Sequence, residues 1–178
     1  MVMRNMETIE NDTIRIAGIV KESTVDGPGF RYVVFTQGCP HKCKGCHNPD
    51  THDFKGGKIV SIDKLVEDIN KNPLLKGVTI SGGEPFMQPK QVYNLISKLD
   101  KNKHTVMVYT GFLYEELLEK SKENDYFFKI LQNTDVLIDG KFEEELKSEN
   151  VIFRGSTNQR AIEAKNSIET GNIVLHTF

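Results

Sequence analysis

The chain has 178 residues, 38% of them hydrophobic and 27% charged, as in an ordinary soluble globular protein with enough chain for one real core. A net charge of −2 lacks the basic excess that a general binder of nucleic acid or anionic membrane needs, and no apolar run is long enough to span a bilayer. Residues 1–11 are polar and acidic, without the apolar core of a secretory signal, so the cytosol is the expected compartment. We read residues 1–178 as a single domain, with 1–12 as a flexible N-terminal segment.

Short β-branched or aromatic runs alternate with helical patterns along the chain. Strands are predicted at residues 14–20 and 31–36. A helix follows, with Ile62, Leu65, Val66 and Ile69 at i, i+3, i+4, i+7 and Ser61 as N-cap. After a strand at 78–80, Val92, Leu95, Ile96 and Leu99 repeat the helical spacing, with Pro89 near the helix start. A strand at 105–109 leads to a third helix opening on Leu113, Leu117 and Leu118, and to a fourth at 126–131. Further strands are predicted at 136–138, 151–153 and 173–175, with a weaker fifth helix at 161–168. Such alternation implies an α/β fold with a largely parallel sheet. About six βα units are too few for a complete eight-stranded barrel, so a partial, open parallel β/α barrel is expected, with a doubly wound open sheet as the alternative. In either, chemistry belongs at the C-terminal ends of the strands. Five predicted strand ends carry glycine with polar residues.

The three cysteines of the chain lie within eight consecutive residues, Cys39, Cys43 and Cys46, in a C-x3-C-x2-C spacing. An odd, clustered set is not a disulfide framework. Thiolates suit iron–sulfur clusters or zinc. Three of them hold three corners of a four-iron cluster and leave one corner open. Zinc is the competing reading, with His41, His47 or His52 as fourth ligand. The turn Gly82-Gly83-Glu84-Pro85 follows a predicted strand. Its glycines let the backbone approach a ligand closely, and Glu84 offers an acceptor. Arg154 and Arg160 either grip anionic groups or cap the rim with salt bridges.

The pairing of C-x3-C-x2-C with a downstream GGEP turn resembles the radical S-adenosylmethionine superfamily. Asp26-Gly27-Pro28-Gly29-Phe30-Arg31 ahead of the cysteines narrows the resemblance to the activating enzymes of glycyl-radical enzymes. Asp139-Gly140-Lys141-Phe142 and the stretch from Arg154 to Arg160 narrow it to the branch that acts on anaerobic ribonucleoside-triphosphate reductases. The resemblance covers roughly Thr24 to Arg160. It implies a radical-SAM type of partial barrel and a [4Fe-4S] cluster on Cys39, Cys43 and Cys46. S-adenosylmethionine would take the open iron, with Gly82, Gly83 and Glu84 at its amino group and Gly45, Cys46 and His47 near the adenosine. Thr110, Asp139 and Lys141 are candidates for ribose, carboxylate or a monovalent cation. One electron would cleave the sulfonium to methionine and a 5′-deoxyadenosyl radical, which takes a hydrogen atom from a glycine loop of the reductase catalytic subunit. A low-potential donor such as flavodoxin or ferredoxin would supply the electron. Asp26, Gly27, Gly29, Arg31, Arg154, Asn158 and Arg160 are expected to form the partner-facing rim. Where many members carry an aromatic residue directly before the third cysteine, this chain has Gly45, so packing on adenine falls to His47 or another loop. A zinc-stabilised binding module and a simple electron carrier remain the alternatives.

Overall fold

The computed structural model describes residues 12–178. The expected flexible segment therefore lies outside the described residues, except for Asp12. The carbonyl of Asp12 accepts the backbone N–H of Ile62 at 2.8 Å. Seven strands form one mixed sheet: β1 (Thr13–Ser23), β2 (Phe30–Thr36), β3 (Lys58–Ser61), β4 (Leu75–Gly82), β5 (Thr105–Tyr109), β6 (Val136–Asp139) and β7 (Arg160–Ile162). Their order is β3-β1-β2-β4-β5-β6-β7, an open sheet with β3 and β7 at its edges. The four central strands β2, β4, β5 and β6 run parallel. β1, β3 and β7 pair antiparallel with their neighbours.

This corrects the expectation of about six βα units. Only four strands form the parallel run, because only three connections carry helices. Those are α1 (Ile62–Asn70) between β3 and β4, α2 (Pro89–Ser97) between β4 and β5, and α3 (Tyr114–Lys120) with α4 (Asp125–Gln132) between β5 and β6. β1 and β2 are joined by residues 24–29, too short for a parallel crossover and suited to a hairpin. α5 (Ala164–Thr170) follows β7.

Three further readings change. Residues 151–153 form a turn, not a strand, and Phe153 adopts φ 54°. The run at 173–175 contributes only a bridge between Leu175 and Ile162. Ala161 and Ile162, read as helix, pair antiparallel with Ile138 and Leu137, and the helix starts at Ala164. The helix signals at Ser61 and Pro89 hold. The Ser61 hydroxyl accepts Lys64 N–H, and Pro89 opens α2.

Alternation along β5 separates two layers. Val106 and Val108 face the helices and join Val78, Ile80, Leu95, Ile96, Leu117 and Leu131 in the main core. Each such buried aliphatic side chain contributes about 1.5–3 kcal/mol of transfer free energy. Met107 and Tyr109 point the other way, into a smaller cluster with Ile138, Ala161, Phe153 and Phe178. The second face of the sheet is thus covered by loops and the C-terminal segment. Among the described residues no helix is long and apolar enough to cross a membrane.

Candidate functional site

The cysteine loop begins where β2 ends. Its base is fixed by backbone bonds: Gly38 N–H to Thr51 O at 2.8 Å and Glu84 N–H to Gly38 O at 2.8 Å. Within the loop, Cys46 N–H reaches Cys43 O at 3.2 Å, closing a four-residue turn with Gly45 at φ 69°. That conformation favours glycine. A Cβ at Gly45 would also stand 2.9 Å from Glu144 Oε1, so a side chain there would have to displace the half-exposed Glu144 carboxylate. All three cysteines are free, with Cys39 buried and Cys43 and Cys46 half-buried. Burial pushes the Cys39 thiol up, and Glu84 and Cys43 add to that, while backbone N–H groups of His41 and Lys42 oppose it. Burial also raises Cys43, against the pull of the Phe142 backbone and Lys141.

The three thiols line one pocket of about 140 Å³ with Gly82, Gly83, Thr110 and Lys141. Gly82 and Gly83 are pressed against the cysteine strand. A Cβ at Gly83 would lie 2.5 Å from Gly38 O, and one at Gly82 2.6 Å from the Phe35 backbone. Glu84 itself turns inward and is fully buried. One oxygen accepts Phe86 N–H at 3.1 Å and the Thr110 hydroxyl at 2.9 Å. The other accepts Gly111 N–H at 2.8 Å and meets His41 Nε2 at 2.8 Å.

The segment 141–156, between β6 and β7, faces the cysteine loop from across the rim. Lys44 pairs with Glu144 at 3.0 Å and Glu145 at 3.5 Å. The Phe142 ring lies 4.7 Å from the His47 ring, tilted by 45°. Asn158 donates to Lys141 O at 2.8 Å and to Glu143, and Gln159 donates to Gly140 O and accepts the N–H groups of Gly155 and Ser156. A second pocket of about 430 Å³ adjoins the first through His47, Asn48, Ser81, Tyr109, Phe142 and Gln159, and reaches Asp26 and Arg154. Arg154 donates to Gln159 O at 3.2 Å, and its Nε is buried without a partner.

Apart from Asp26, which lines the second pocket, the remaining expected site residues do not gather in these pockets. Asp139 is fully buried, accepts Tyr114 N–H at 2.8 Å and is held by Arg160, which also forks onto Glu115 at 3.0 and 2.7 Å. Asp26 accepts the Ser23 hydroxyl, and its carbonyl takes the Thr79 hydroxyl at 2.8 Å. Gly27, at φ 135°, abuts Arg31, and Gly29, at φ 74°, abuts Lys76. Arg31 sits at the opposite end of β2 from the cysteines, buried, donating to Thr79, Thr105 and the carbonyl of Val78. Burial lowers its pKa to about 10, opposed by Tyr109, Asp135 and Asp26, so it stays charged at neutral pH.

Of the three histidines that could complete a zinc site, two are engaged elsewhere, while His52 lines the pocket with the thiols. Among the described residues no three His, Cys, Asp or Glu side chains are grouped tightly enough to hold one metal ion. His41 is committed to Glu84 and the His47 ring rests on Phe142. Three thiols around a polar pocket suit a larger group that spans the distance between them. Reasoning from sequence missed the structural part of His41 and the place of Phe142. The first was signalled by its position between two of the clustered cysteines, the second by its proximity to the Asp139-Gly140-Lys141 turn.

Residues 25–162 match the family of the 4Fe-4S single cluster domain. The chain is 32% identical over 143 residues to the anaerobic ribonucleoside-triphosphate reductase-activating protein of Enterobacteria phage T4, covering 76% of this chain and 85% of that protein. The protein of that name from Escherichia coli (strain K12) is 31% identical over 144 residues, covering 76% of this chain and 89% of that protein. The pyruvate formate-lyase-activating enzyme of Clostridium pasteurianum is 37% identical over 128 residues, covering 68% of this chain and 53% of that protein.

Proposed function

Because the chain belongs to the 4Fe-4S single cluster domain family, and within it to the anaerobic ribonucleoside-triphosphate reductase-activating proteins, we propose that it installs the glycyl radical on such a reductase. When bound, a [4Fe-4S] cluster supplies the electron for reductive cleavage of S-adenosylmethionine, the source of the hydrogen abstraction from glycine. The observation that carries this reading is the pocket in which three free thiols face the backbone of Gly82 and Gly83.

The chain's own residues divide the work. Cys39, Cys43 and Cys46 hold the cluster. Gly82 and Gly83 present bare backbone to the amino-acid end of the cofactor, in a turn that Glu84 braces from within. Lys141 brings a positive charge to the same pocket, suited to a carboxylate. Phe142, paired with His47, offers adenine the aromatic surface that Gly45 lacks. The adjoining pocket near Asp26 and Arg154 admits the partner's glycine segment. The open sheet leaves that side accessible, and glycine, lacking a side chain, allows the closest approach. A partial barrel of the radical-SAM type, the cytosol, and flavodoxin or ferredoxin as electron donor belong to this reading, with the open run of four parallel strands in its support.

The test is anaerobic. The reconstituted protein is expected to carry iron and sulfide, and with strong reductant and S-adenosylmethionine to release 5′-deoxyadenosine. Electron paramagnetic resonance should then show a glycyl signal in the reductase. Cys43→Ser should abolish both product and signal. Zinc in place of iron would favour a binding module, and a cluster without 5′-deoxyadenosine an electron carrier. The 37% identity to the clostridial enzyme supports a second reading, in which the partner is a pyruvate formate-lyase. A glycyl signal in that partner and none in the reductase would select it.

A further inference from the structure

His41 stands between the first two cysteines, and its imidazole is engaged by a buried carboxylate. Nε2 meets Glu84 Oε2 at 2.8 Å, with the two side chains 7% and 0% exposed. The ring edge packs on Phe112 with centroids 4.6 Å apart. Gly111 lies flat against it, since a Cβ there would come within 2.4 Å of His41 Cδ2. Glu84 gathers the other side of the junction. It takes the Thr110 hydroxyl and Gly111 N–H from the loop after β5, and Phe86 N–H from its own turn. His41 is thus the side chain through which the cysteine loop joins a buried carboxylate shared with two other loops. The next residue, Lys42, holds φ 50° without being glycine. Such a conformation persists only where its surroundings over-determine it.

We propose that His41 is a positioning residue, whose bond to Glu84 locks the cysteine loop onto the Gly82–Glu84 turn before any metal arrives. A loop carrying three ligands loses conformational entropy when it binds, and an anchor between the first two ligands removes part of that cost in advance. Cys39, two residues before His41, is only 9% exposed, as the lock requires. The tether itself stands on the His41–Glu84 geometry alone. Its consequence for loading rests on the cluster reading above.

The experiment uses the full metal-free chain under anaerobic conditions, with iodoacetamide alkylation of each cysteine followed by mass spectrometry. His41→Ala should raise the Cys39 alkylation rate about tenfold, as expected for a local opening that no longer has to break a buried contact. His41→Gln keeps a donor for Glu84 and should restore most of the protection. His41→Phe keeps a ring against Phe112 without a donor and should behave like His41→Ala. Thermal melting monitors the fold, and the Gln and Phe pair decides the matter if the Ala variant does not fold. Unchanged Cys39 protection in the Phe variant, or rescue by Phe and not by Gln, overturns the proposal. In a second arm, iron per chain after reconstitution should fall for Phe and recover for Gln. Wild type without iron in that arm would overturn the cluster reading and leave the thiol result standing.

Discussion

Two fully buried carboxylates mark the C-terminal edge of the sheet, Glu84 just after β4 and Asp139 at the end of β6. Their surroundings differ. Glu84 is met by two backbone N–H groups, a hydroxyl and one imidazole. Asp139 is met by one backbone N–H, from Tyr114, and by a guanidinium that is itself shared with Glu115. The Asp139 junction joins β6 to the edge strand β7 and to the start of α3, so it holds the frame. The Glu84 junction joins three loops around the thiols, so it holds the site. A permanent charge secures the frame, and a set of directional bonds shapes the pocket.

The comparison breaks first at Arg160. Arg160→Ala leaves Asp139 buried without its cation, and with the Arg160 side chain itself 30% exposed the loss is about 2–3 kcal/mol. Thermal denaturation should show that loss, while iron per folded chain after reconstitution stays near wild type. A variant that keeps its stability, or that loses iron in proportion, would erase the distinction between frame and site.

Gly111→Ala tests the other junction. The added methyl meets the His41 ring, and overpacking of this kind costs about 1–3 kcal/mol. Because the ring can yield only by leaving Glu84, iron loading should fall more than stability does. Equal iron content with a lowered melting temperature would place the strain elsewhere.

The smallest effect concerns His104, buried at the start of β5 with an unpartnered Nδ1. Burial lowers its pKa below the ordinary 6.5, with Asp100 opposing. The unfolded chain then binds the proton more readily. The neutral side chain supports the fold fully above pH 6.5, and that support fades as pH falls through the lowered value. His104→Gln should flatten the loss of metal-free stability between pH 6.5 and 5, read by urea denaturation, and leave the neutral-pH midpoint little changed.

Much of this architecture is visible in the residues. The central strands and the first four helices follow from apolar spacing, and the cysteine and GGEP motifs point to the pocket that contains them. What escaped is set by contacts distant in sequence. β3 is a four-residue edge strand with a largely exposed surface, so it leaves no apolar run to read. β7 is three residues long and gains its strand character only by pairing with β6. Of residues 151–153, Phe153 covers the second face of the sheet, where Tyr109 donates to its carbonyl at 2.7 Å, while Ile152 is exposed. In the site, the glycine turn was legible as a feature. The inward aim of Glu84 was not, since it depends on Thr110, Gly111 and His41 arriving together.

The segment facing the cysteines carries a consequence for biosynthesis. Glu145 lies 101 positions after Lys44, so the cysteines leave the ribosome long before the segment that faces them. At about 5–20 residues per second the interval is on the order of 5–20 s. During it the thiols ride on a nascent chain with neither Glu84 nor the 141–156 segment yet in place at first. The pocket is therefore completed only late in synthesis, after the Glu84 junction that shapes the loop, and metal delivered earlier would meet thiols without the segment that faces them.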